Sequence, residues 1–369
     1  MVNVRQLMMC AILLGASLAS VGVQAQPLRV LSWEGYVTQQ DILVVNQQLK
    51  QQGYDYQVQL ITPFAEGAKQ MFDLIRSNQC DIAFLTLFFI NMENQQTSKL
   101  LQTIDVNSPR LDNYKNLLPS LTHLEMGLNQ QGQPLYIPWG GGAYGFYINR
   151  NRVAKADVPV SVKELWLDKW KGRFSLNQSQ QWYNIGLTLM SLGKSPFYFY
   201  ELAQKDKFSQ LESMEKENGQ ILNKLSSLYT NAGNFWKAST VFNDNLLIVS
   251  SWGPEIAREN NKGGNWQMIP FQEGHMVWLD TINFVKDLTG SKLEAAEVFA
   301  NYFIGKKVQS RISEKLSMVA ASKMAPVNKI LGDPDQIFKK HMFVPPYDKR
   351  SYNIMSRMAG KALYSAQNN

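Results

Sequence analysis

The pattern of hydrophobic and polar residues in the first part of the chain has two forms, one typical of strands and one typical of helices. Short apolar runs lie within residues 27–36, 56–62 and 80–89. Between them, residues 38–53 and 65–78 repeat apolar positions every three or four residues, the period of an amphipathic helix. The order strand, helix, strand, helix, strand predicts an α/β fold with a mostly parallel sheet. In such sheets, ligands bind beyond the carboxyl ends of the strands.

Capping residues predict where two of the helices begin. Thr38 can cap the first helix with Asp41 three residues later, and Gly53 can end that helix. Much farther along, a second strongly periodic segment begins with Ser291 and Glu294, which have the spacing of a capping box. These signals predict helices whose apolar faces pack against the sheet.

Three consecutive glycines, Gly140 to Gly142, separate two aromatic, strand-like runs. The segment predicts either a crossing of the chain between two lobes or a close approach of the backbone to another group. A plain glycine turn is the competing interpretation. After a polar and largely helical middle region, residues 246–250 form another predicted strand, which ends beside Trp252.

The first 25 residues have the pattern of a secretory signal. Arg5 precedes an apolar stretch over residues 7–23, and small residues stand before a predicted cut ahead of Gln26. A membrane anchor is the competing interpretation, but small and polar residues interrupt the stretch. We therefore expect export to the bacterial periplasm. Cys80 is then the lone cysteine of the mature chain, and we expect it to be a buried core residue.

Charge and motif content narrow the range of functions. The formal charge of +7 is spread along the chain without a Lys/Arg block, so nucleic-acid binding gains no support. His123, His275 and His341 are far apart and lack the spacing of metal ligands. No HExxH, GxSxG or CxxC motif occurs. We expect neither a metal, a cofactor nor enzymatic activity; an enzyme using Glu34 or Asp280 as a general base is the alternative.

Aromatic residues recur where the apolar runs end: Trp33, Tyr36, Phe88, Trp139, Trp252 and Trp278. One such residue would be explained by core packing, but six predict a cleft whose ring faces hold methylene chains and ammonium groups. A buried cation also needs a carboxylate, and Glu34 and Asp280 are the nearest acids in sequence. In the segment EGHMVWLDTINF, Trp278 and Asp280 are expected to share one face of a strand.

Six segments of the chain carry a family resemblance. They read, in order, SWEGY, CDIAFLTLFF, YIPWGGGAYGFYINRN, LLIVSSWGPEIAREN, GHMVWLDTINFVKD and MVAASKMAPVNK. In this order and spacing they resemble the periplasmic polyamine-binding proteins, the spermidine/putrescine-type solute-binding proteins. The resemblance covers nearly all of the mature sequence. It implies an α/β, two-lobed periplasmic binding protein fold, with hinge crossovers and a polyamine in the cleft between the lobes.

The resemblance also implies the composition of each lobe and the residues of the site. The first lobe comprises residues 26–139 with about 278–320, and the second comprises residues 140–277 with about 321–369. The family's aromatic box and central acid match five positions: Trp33, Tyr36, Trp252, Trp278 and Asp280.

Several family positions are changed in this chain. Gly35 stands where the family usually has an acid before the tyrosine, and Glu34 comes one residue earlier, expected on the other side of the chain. The family's acidic pair falls at Gln180 and Tyr183. Its tyrosine pair has become Phe88 and the phenylalanine that follows it. We therefore expect Glu34, Phe88, Gln180 and Tyr183 to contact a ligand. The pocket should have fewer carboxylates than the family's and should be more apolar or amide-lined.

The expected ligand is a polyamine such as spermidine or norspermidine, carried by a monomer to an inner-membrane partner. That partner is either an ABC permease that imports the polyamine or a membrane sensor with a cyclic-di-GMP enzyme, which controls biofilm formation. The reduced acid set and the basic charge favour the sensor. A different organic cation or an amino-acid-like solute is the alternative ligand.

Overall fold

The structure is a computed structural model that describes residues 25–92, 97–216, 219–237 and 239–368. The predicted secretory signal falls, apart from residue 25, outside the described residues. Within the described ranges, no helix is long and apolar enough to cross a membrane.

Strands and helices alternate along most of the chain. The strands are β1 (Gln26–Leu31), β2 (Tyr56–Leu60), β3 (Ile82–Thr86), β4 (Ile137–Ala143), β5 (Gly145–Asn149), β6 (Ser175–Asn177), β7 (Asn234–Trp236), β8 (Ile248–Ser251), β9 (Trp266–Met268), β10 (Val277–Phe284) and β11 (Val319–Ala320). The α-helices are α1 (Gln39–Gln51), α2 (Ala68–Arg76), α3 (Pro119–Thr122), α4 (Gln181–Ser191), α5 (Tyr198–Ala203), α6 (Phe208–Ser213), α7 (Gln220–Asn231), α8 (Pro254–Asn261), α9 (Gly290–Phe303), α10 (Lys306–Lys315), α11 (Pro334–Ile337) and α12 (Lys349–Asn368). The predicted strand–helix–strand–helix–strand order at the N-terminus is confirmed.

The largest sheet has six strands in the order β11-β4-β10-β3-β1-β2. Strand β1 is parallel to β2 and β3, as the first part of the sequence predicts. Strand β10 is antiparallel to both of its neighbours, β3 and β4, and β11 is antiparallel to β4. The prediction of a mostly parallel sheet is therefore wrong. Strands β10 and β11 come from a later part of the chain. They are not joined to their neighbours in the sheet by a strand–helix–strand crossover, the connection that makes neighbouring strands parallel.

Two smaller sheets belong to the middle of the chain. Strands β8, β5 and β9 form an antiparallel sheet, and β6 pairs with β7 in parallel. Only Tyr144 separates β4 of the large sheet from β5 of the second sheet. The chain thus passes from one sheet to another within a single residue. The C-terminal helix α12 packs on α4 and α7, where the Gln181 amide nitrogen donates to the Ser356 hydroxyl at 2.7 Å.

Helix starts follow the predictions in one case and not in the other. Thr38 caps α1, and both hydrogen bonds of its capping box with Asp41 are present. The capping box of Ser291 and Glu294 is wrong, because the cap of α9 is Thr289 and has no side-chain hydrogen bond. Glu294 instead pairs with an arginine of another segment, with 3.6 Å between Arg110 Nη1 and Glu294 Oε1. The Glu294 side chain thus forms a tertiary ion pair instead of the local capping box.

The glycine run lies inside a strand. Gly140 to Gly142 belong to β4 and are buried beside β10. A Cβ atom on Gly141 would lie 2.2 Å from the carbonyl oxygen of Trp278, closer than any real side chain permits. The structure therefore confirms a close backbone approach and excludes the plain turn.

This close approach predicts that Gly141→Ala lowers the free energy of unfolding by about 1–3 kcal/mol, the usual effect of overpacking a core. Gly360→Ala is the matched control, since a Cβ there in α12 meets nothing within 4 Å. It should raise stability by about 0.5–1 kcal/mol, because alanine replaces glycine inside a helix. Chemical denaturation of both variants measures the two effects, and shifts of the same sign would contradict the assignment.

Candidate ligand-binding cleft

A cleft of about 1610 Å³ lies between the segments after β1 and before α2 on one side and the start of α4 on the other. Its wall also includes the end of β7, the start of α8 and the approach to α12. Six of the nine predicted site residues line it: Trp33, Glu34, Tyr36, Phe88, Gln180 and Trp252. Residues far apart in sequence are thus brought together as the strand-end argument expects.

The segment Trp33–Tyr36 forms a tight turn at the carboxyl end of β1. The Tyr36 backbone N–H donates to the Trp33 carbonyl at 3.3 Å, and Gly35 has φ +82°. Such a φ at the third position of a turn favours glycine, which accounts for Gly35 where the resembled family has an acid. Glu34 is exposed and lines the same cleft as its neighbours. The expectation that Glu34 lies on the other side of the chain is therefore wrong.

The turn is anchored from behind by Arg311 of α10. Its Nη2 donates to the Tyr36 carbonyl at 2.8 Å, and its Nη1 lies 2.6 Å from Asp41 Oδ2. Asp41 is buried and also accepts from the Tyr302 hydroxyl at 2.9 Å. A charge-assisted network therefore fixes the backbone that presents Tyr36 to the cleft.

Asp280, in the middle of the large sheet, is a buried carboxyl that faces hydroxyl groups. The Tyr36 hydroxyl donates to its Oδ2, and the Thr86 hydroxyl donates to its Oδ1 at 2.8 Å. Burial raises the pKa of Asp280 to about 7, although these two hydrogen bonds act in the opposite direction. Burial, reinforced by the charge of Asp280, raises the pKa of the Tyr36 phenol well above its ordinary value. Among the described residues, no lysine, arginine or histidine forms an ion pair with Asp280.

Asp280, Tyr183 and Trp278 do not line the cleft surface; they form the layer beneath it. Tyr183 is buried and feels the charge of Asp280, while its ring packs 5.1 Å from Trp252. Trp278 pairs with Gly142 in the sheet, where a Cβ would lie 3.2 Å from the indole. The predicted residues thus form one cluster with a wall layer and a floor layer.

One of the six strand-end aromatics belongs to the core. Trp139 is completely buried in β4 and packs 4.2 Å from the ring of Tyr36 and 5.3 Å from that of Phe84. It supports Tyr36 from below and has no surface in the cleft. The interpretation of Trp139 as a ligand-facing ring is therefore wrong, and the reason is its position inside the strand.

Sequence reasoning missed a second group of rings in the wall. Trp182 lies in the first turn of α4, 6.1 Å from Phe88 and 6.1 Å from Tyr352 of α12. Tyr347, just before α12, also lines the cleft. Trp182 stands between two predicted site residues, so its neighbours could have indicated it. The two tyrosines had no local signal, because only tertiary packing brings the C-terminal segment to the cleft.

No group of three or more histidine, cysteine or acidic side chains with the geometry to hold a metal occurs in the part of the chain that the structure describes. The cleft instead offers aromatic faces, amides and several exposed charges, with one buried carboxyl, that of Asp280, beneath it. This arrangement suits the binding of an organic solute.

The raised pKa of Asp280 predicts a stability effect with a definite sign. Between about pH 4 and pH 7 the folded carboxyl holds a proton that the unfolded chain has released, so stability falls as the pH rises through this window. The full penalty corresponds to about 4 kcal/mol. Asp280→Asn should therefore raise the melting temperature of the ligand-free protein more at pH 8 than at pH 5. Thermal unfolding at both pH values measures this, and an equal change at both would show that Asp280 titrates normally.

Several solved structures have a fold similar to that of this chain. PotD, a spermidine/putrescine ABC transporter substrate-binding protein from Streptococcus pneumoniae, has a TM-score of 0.67 and 17% identity over 92% of this chain and 99% of its own. A putative spermidine/putrescine ABC transporter from Listeria monocytogenes has a TM-score of 0.66 and 15% identity, covering 91% and 98%. A GABA receptor has a TM-score of 0.62 and 13% identity, covering 91% and 98%. These low identities show the fold alone.

A search of curated protein sequences finds no match. The model of the family described as bacterial extracellular solute-binding protein matches residues 69–336, most of the chain. Together with the structural matches, it confirms the α/β, two-lobed periplasmic binding protein fold. The chain belongs to the bacterial extracellular solute-binding protein family.

Proposed function

We propose that this protein binds a polyamine of the spermidine or norspermidine type in the cleft, with an ammonium group of the ligand beside Asp280. The observation that supports this most directly is a buried carboxyl beneath an aromatic cleft, whose partners are two hydroxyls and which has no cationic partner in the described part of the chain. A buried carboxylate is costly without a positive partner, and a ligand ammonium supplies one.

The carboxyl has room for that partner. A carboxylate offers about four acceptor positions, and the hydroxyls of Tyr36 and Thr86 use two of them. Trp33 and Trp252 line the cleft and present ring faces for methylene groups and ammonium. Tyr36 covers Asp280 from the cleft side, so we expect its side chain to move aside or to share the carboxylate with the ligand.

The proposed binding cycle uses the two lobes. We assign residues 26–139 with about 278–320 to the first lobe and residues 140–277 with about 321–369 to the second. The chain leaves the large sheet at Tyr144, a few residues after the assigned boundary, and this one-residue passage from β4 to β5 supports a hinge close to it. Closure around a ligand would bring Gln180 and Tyr183 of the second lobe towards Asp280 of the first, and their side chains accept hydrogen bonds from the remaining amines.

We propose that the bound form is presented to an inner-membrane sensor that controls cyclic-di-GMP and biofilm formation. The alternative is the substrate-binding role in an ABC importer, the role by which PotD of Streptococcus pneumoniae is described. Deleting the gene in its own host separates the two. Unchanged uptake of labelled spermidine with altered cyclic-di-GMP supports sensing, whereas reduced uptake with unaltered cyclic-di-GMP supports import.

Calorimetric titration with norspermidine, spermidine, spermine and putrescine should give saturable binding. Asp280→Asn should weaken that binding by about 1–3 kcal/mol, the range for a hydrogen bond to a charged group, which is about 5- to 150-fold in Kd. Arg258→Gln serves as a control at the cleft rim, where Arg258 pairs with Glu255 at 3.1 Å. Absence of binding and of thermal stabilisation across the panel would refute the proposal and direct attention to another organic cation or an amino-acid-like solute.

The same carboxyl predicts how binding depends on pH. Only the ionised form of Asp280 attracts the ammonium, and its pKa in the free protein is about 7. The Kd should therefore rise about tenfold for each pH unit below 7 and level off above it. Titrations at pH 5, 6, 7 and 8 test this expectation in the wild type and in Asp280→Asn, whose Kd should vary little. A flat wild-type profile would place the ammonium elsewhere.

A further inference from the structure

The charges that line the cleft differ between its two sides. The β1 side comprises the residues from Trp33 to Gln79, and the α4 side comprises Ser179 to Trp182, Lys237 and the start of α8. Four acids and four basic residues line the cleft: Glu34, Glu66, Asp73, Glu255, Lys69, Arg76, Lys237 and Arg258. A ligand in the cleft interacts most strongly with those charges that have no partner of opposite sign in the protein.

Three of the four basic residues pair with two of the four acids. Asp73 pairs with Lys69 at 2.8 Å and with Arg76 at 2.8 Å, both on α2. On the other side, Glu255 pairs with Arg258 at 3.1 Å. The pair on α8 is neutral, and the three charges on α2 leave one net positive charge, which is smaller than the two negative charges of Glu34 and Glu66 on the same side.

The charges that remain are of opposite sign on opposite sides. Glu34 and Glu66, on the β1 side, line the cleft, and no lysine or arginine of the described ranges lies within ion-pair distance of either carboxylate. Lys237, on the α4 side, is exposed in the cleft, and its ammonium has no carboxylate partner among the residues that the structure describes. Asp280 adds a further acid beneath the β1 side.

The helix end beside Lys237 adds to the positive potential on this side of the cleft. The buried Asn177 holds it beside the start of α4, because the Asn177 Nδ2 donates to the Lys237 carbonyl at 3.1 Å and the Asn177 Oδ1 accepts from the Gln180 N–H at 2.7 Å. The first turn of α4 contains no acid, and the Gln180 side chain makes no capping hydrogen bond. The backbone of Lys237 is therefore held beside the positive end of an 11-residue helix, and both line the same side of the cleft.

We propose that the natural ligand is a linear amine of about spermidine length that carries a carboxylate at one end. Its ammonium groups lie on the β1 side near Asp280 and Glu34, and its carboxylate lies on the α4 side against Lys237. An unmodified polyamine has cationic groups at both ends and would place one of them against this lysine and the positive end of α4. The proposal rests on the proposed amine-binding function and specifies the chemistry of the second end.

The test compares two ligands of matched length by calorimetric titration of the purified protein. Spermidine is one, and N-(4-aminobutyl)-β-alanine is the other, in which a carboxylate replaces the terminal aminomethyl group. We expect the carboxylate ligand to bind at least about tenfold more tightly than spermidine, because it gains a charge-assisted hydrogen bond and avoids a like-charge contact. 4-Aminobutyrate should bind more weakly than the longer ligand, because it cannot span both sides.

Variants of Lys237 assign the effect to one side chain. Lys237→Gln should weaken the carboxylate ligand about tenfold and tighten spermidine binding, because it removes both the ion pair and the like-charge contact, and Lys237→Glu should reverse the preference. Lys69→Gln is the matched control, because Lys69 also lines the cleft but is paired with Asp73. Its effect on both ligands should be small.

The outcomes separate the two proposals. Tighter spermidine binding that depends on Asp280 but is unaffected by the Lys237 variants overturns the carboxylate end while leaving amine binding in place. Absence of binding for both ligands overturns the amine-binding function and this inference with it. Preference for the carboxylate ligand that reverses in Lys237→Glu establishes the inference.

Discussion

The buried carboxyl of Asp280 is the interaction on which the arrangement of this molecule depends. It lies on β10 between β3 and β4, in register with Thr86 on one side and Gly140 on the other. Thr86 supplies a hydroxyl donor, and the adjacent Gly141 lets the backbone of β4 approach that of β10 closely. The sheet therefore accommodates a polar group in its centre at the point where strands from distant parts of the chain meet, beneath the cleft wall.

Tyr36 connects this floor to the wall and is held at three points. Its hydroxyl donates to Asp280, its carbonyl accepts from Arg311, and its ring packs against Trp139. The buried pair of Arg311 and Asp41 keeps the turn in place, so the acid and the aromatic wall form one mechanical unit. A solute that reaches Asp280 must act on this unit, which gives binding a direct route to a change in the position of the β1 turn.

The ionised carboxyl of Asp280 has opposite effects on the stability of the free protein and on the proposed binding of a ligand. An uncompensated carboxylate in the sheet destabilises the free protein near neutral pH, and in the proposed function the same property attracts a cationic ligand. Binding proteins gain from such a conflict, because the ligand removes the penalty as it binds and so favours the bound state. Because the two sides of the cleft carry opposite charges, the proposed ligand, with ammonium groups at one end and a carboxylate at the other, has a single favourable orientation.

The sequence by itself determined the local elements, namely the alternating strands and helices at the N-terminus and the Thr38 cap, whereas the glycine run was left open between a lobe crossing, a close approach and a turn. It also indicated most of the aromatic and acidic residues that line or underlie the cleft, because strand ends and family motifs are local patterns. Tertiary structure decided the rest. The antiparallel entry of β10, the burial of Trp139 and the placing of Tyr352 and Lys237 in the cleft depend on contacts between distant segments. Periodicity carries no information about which distant segments meet, and the ionisation of Asp280 depends on the burial that those contacts create.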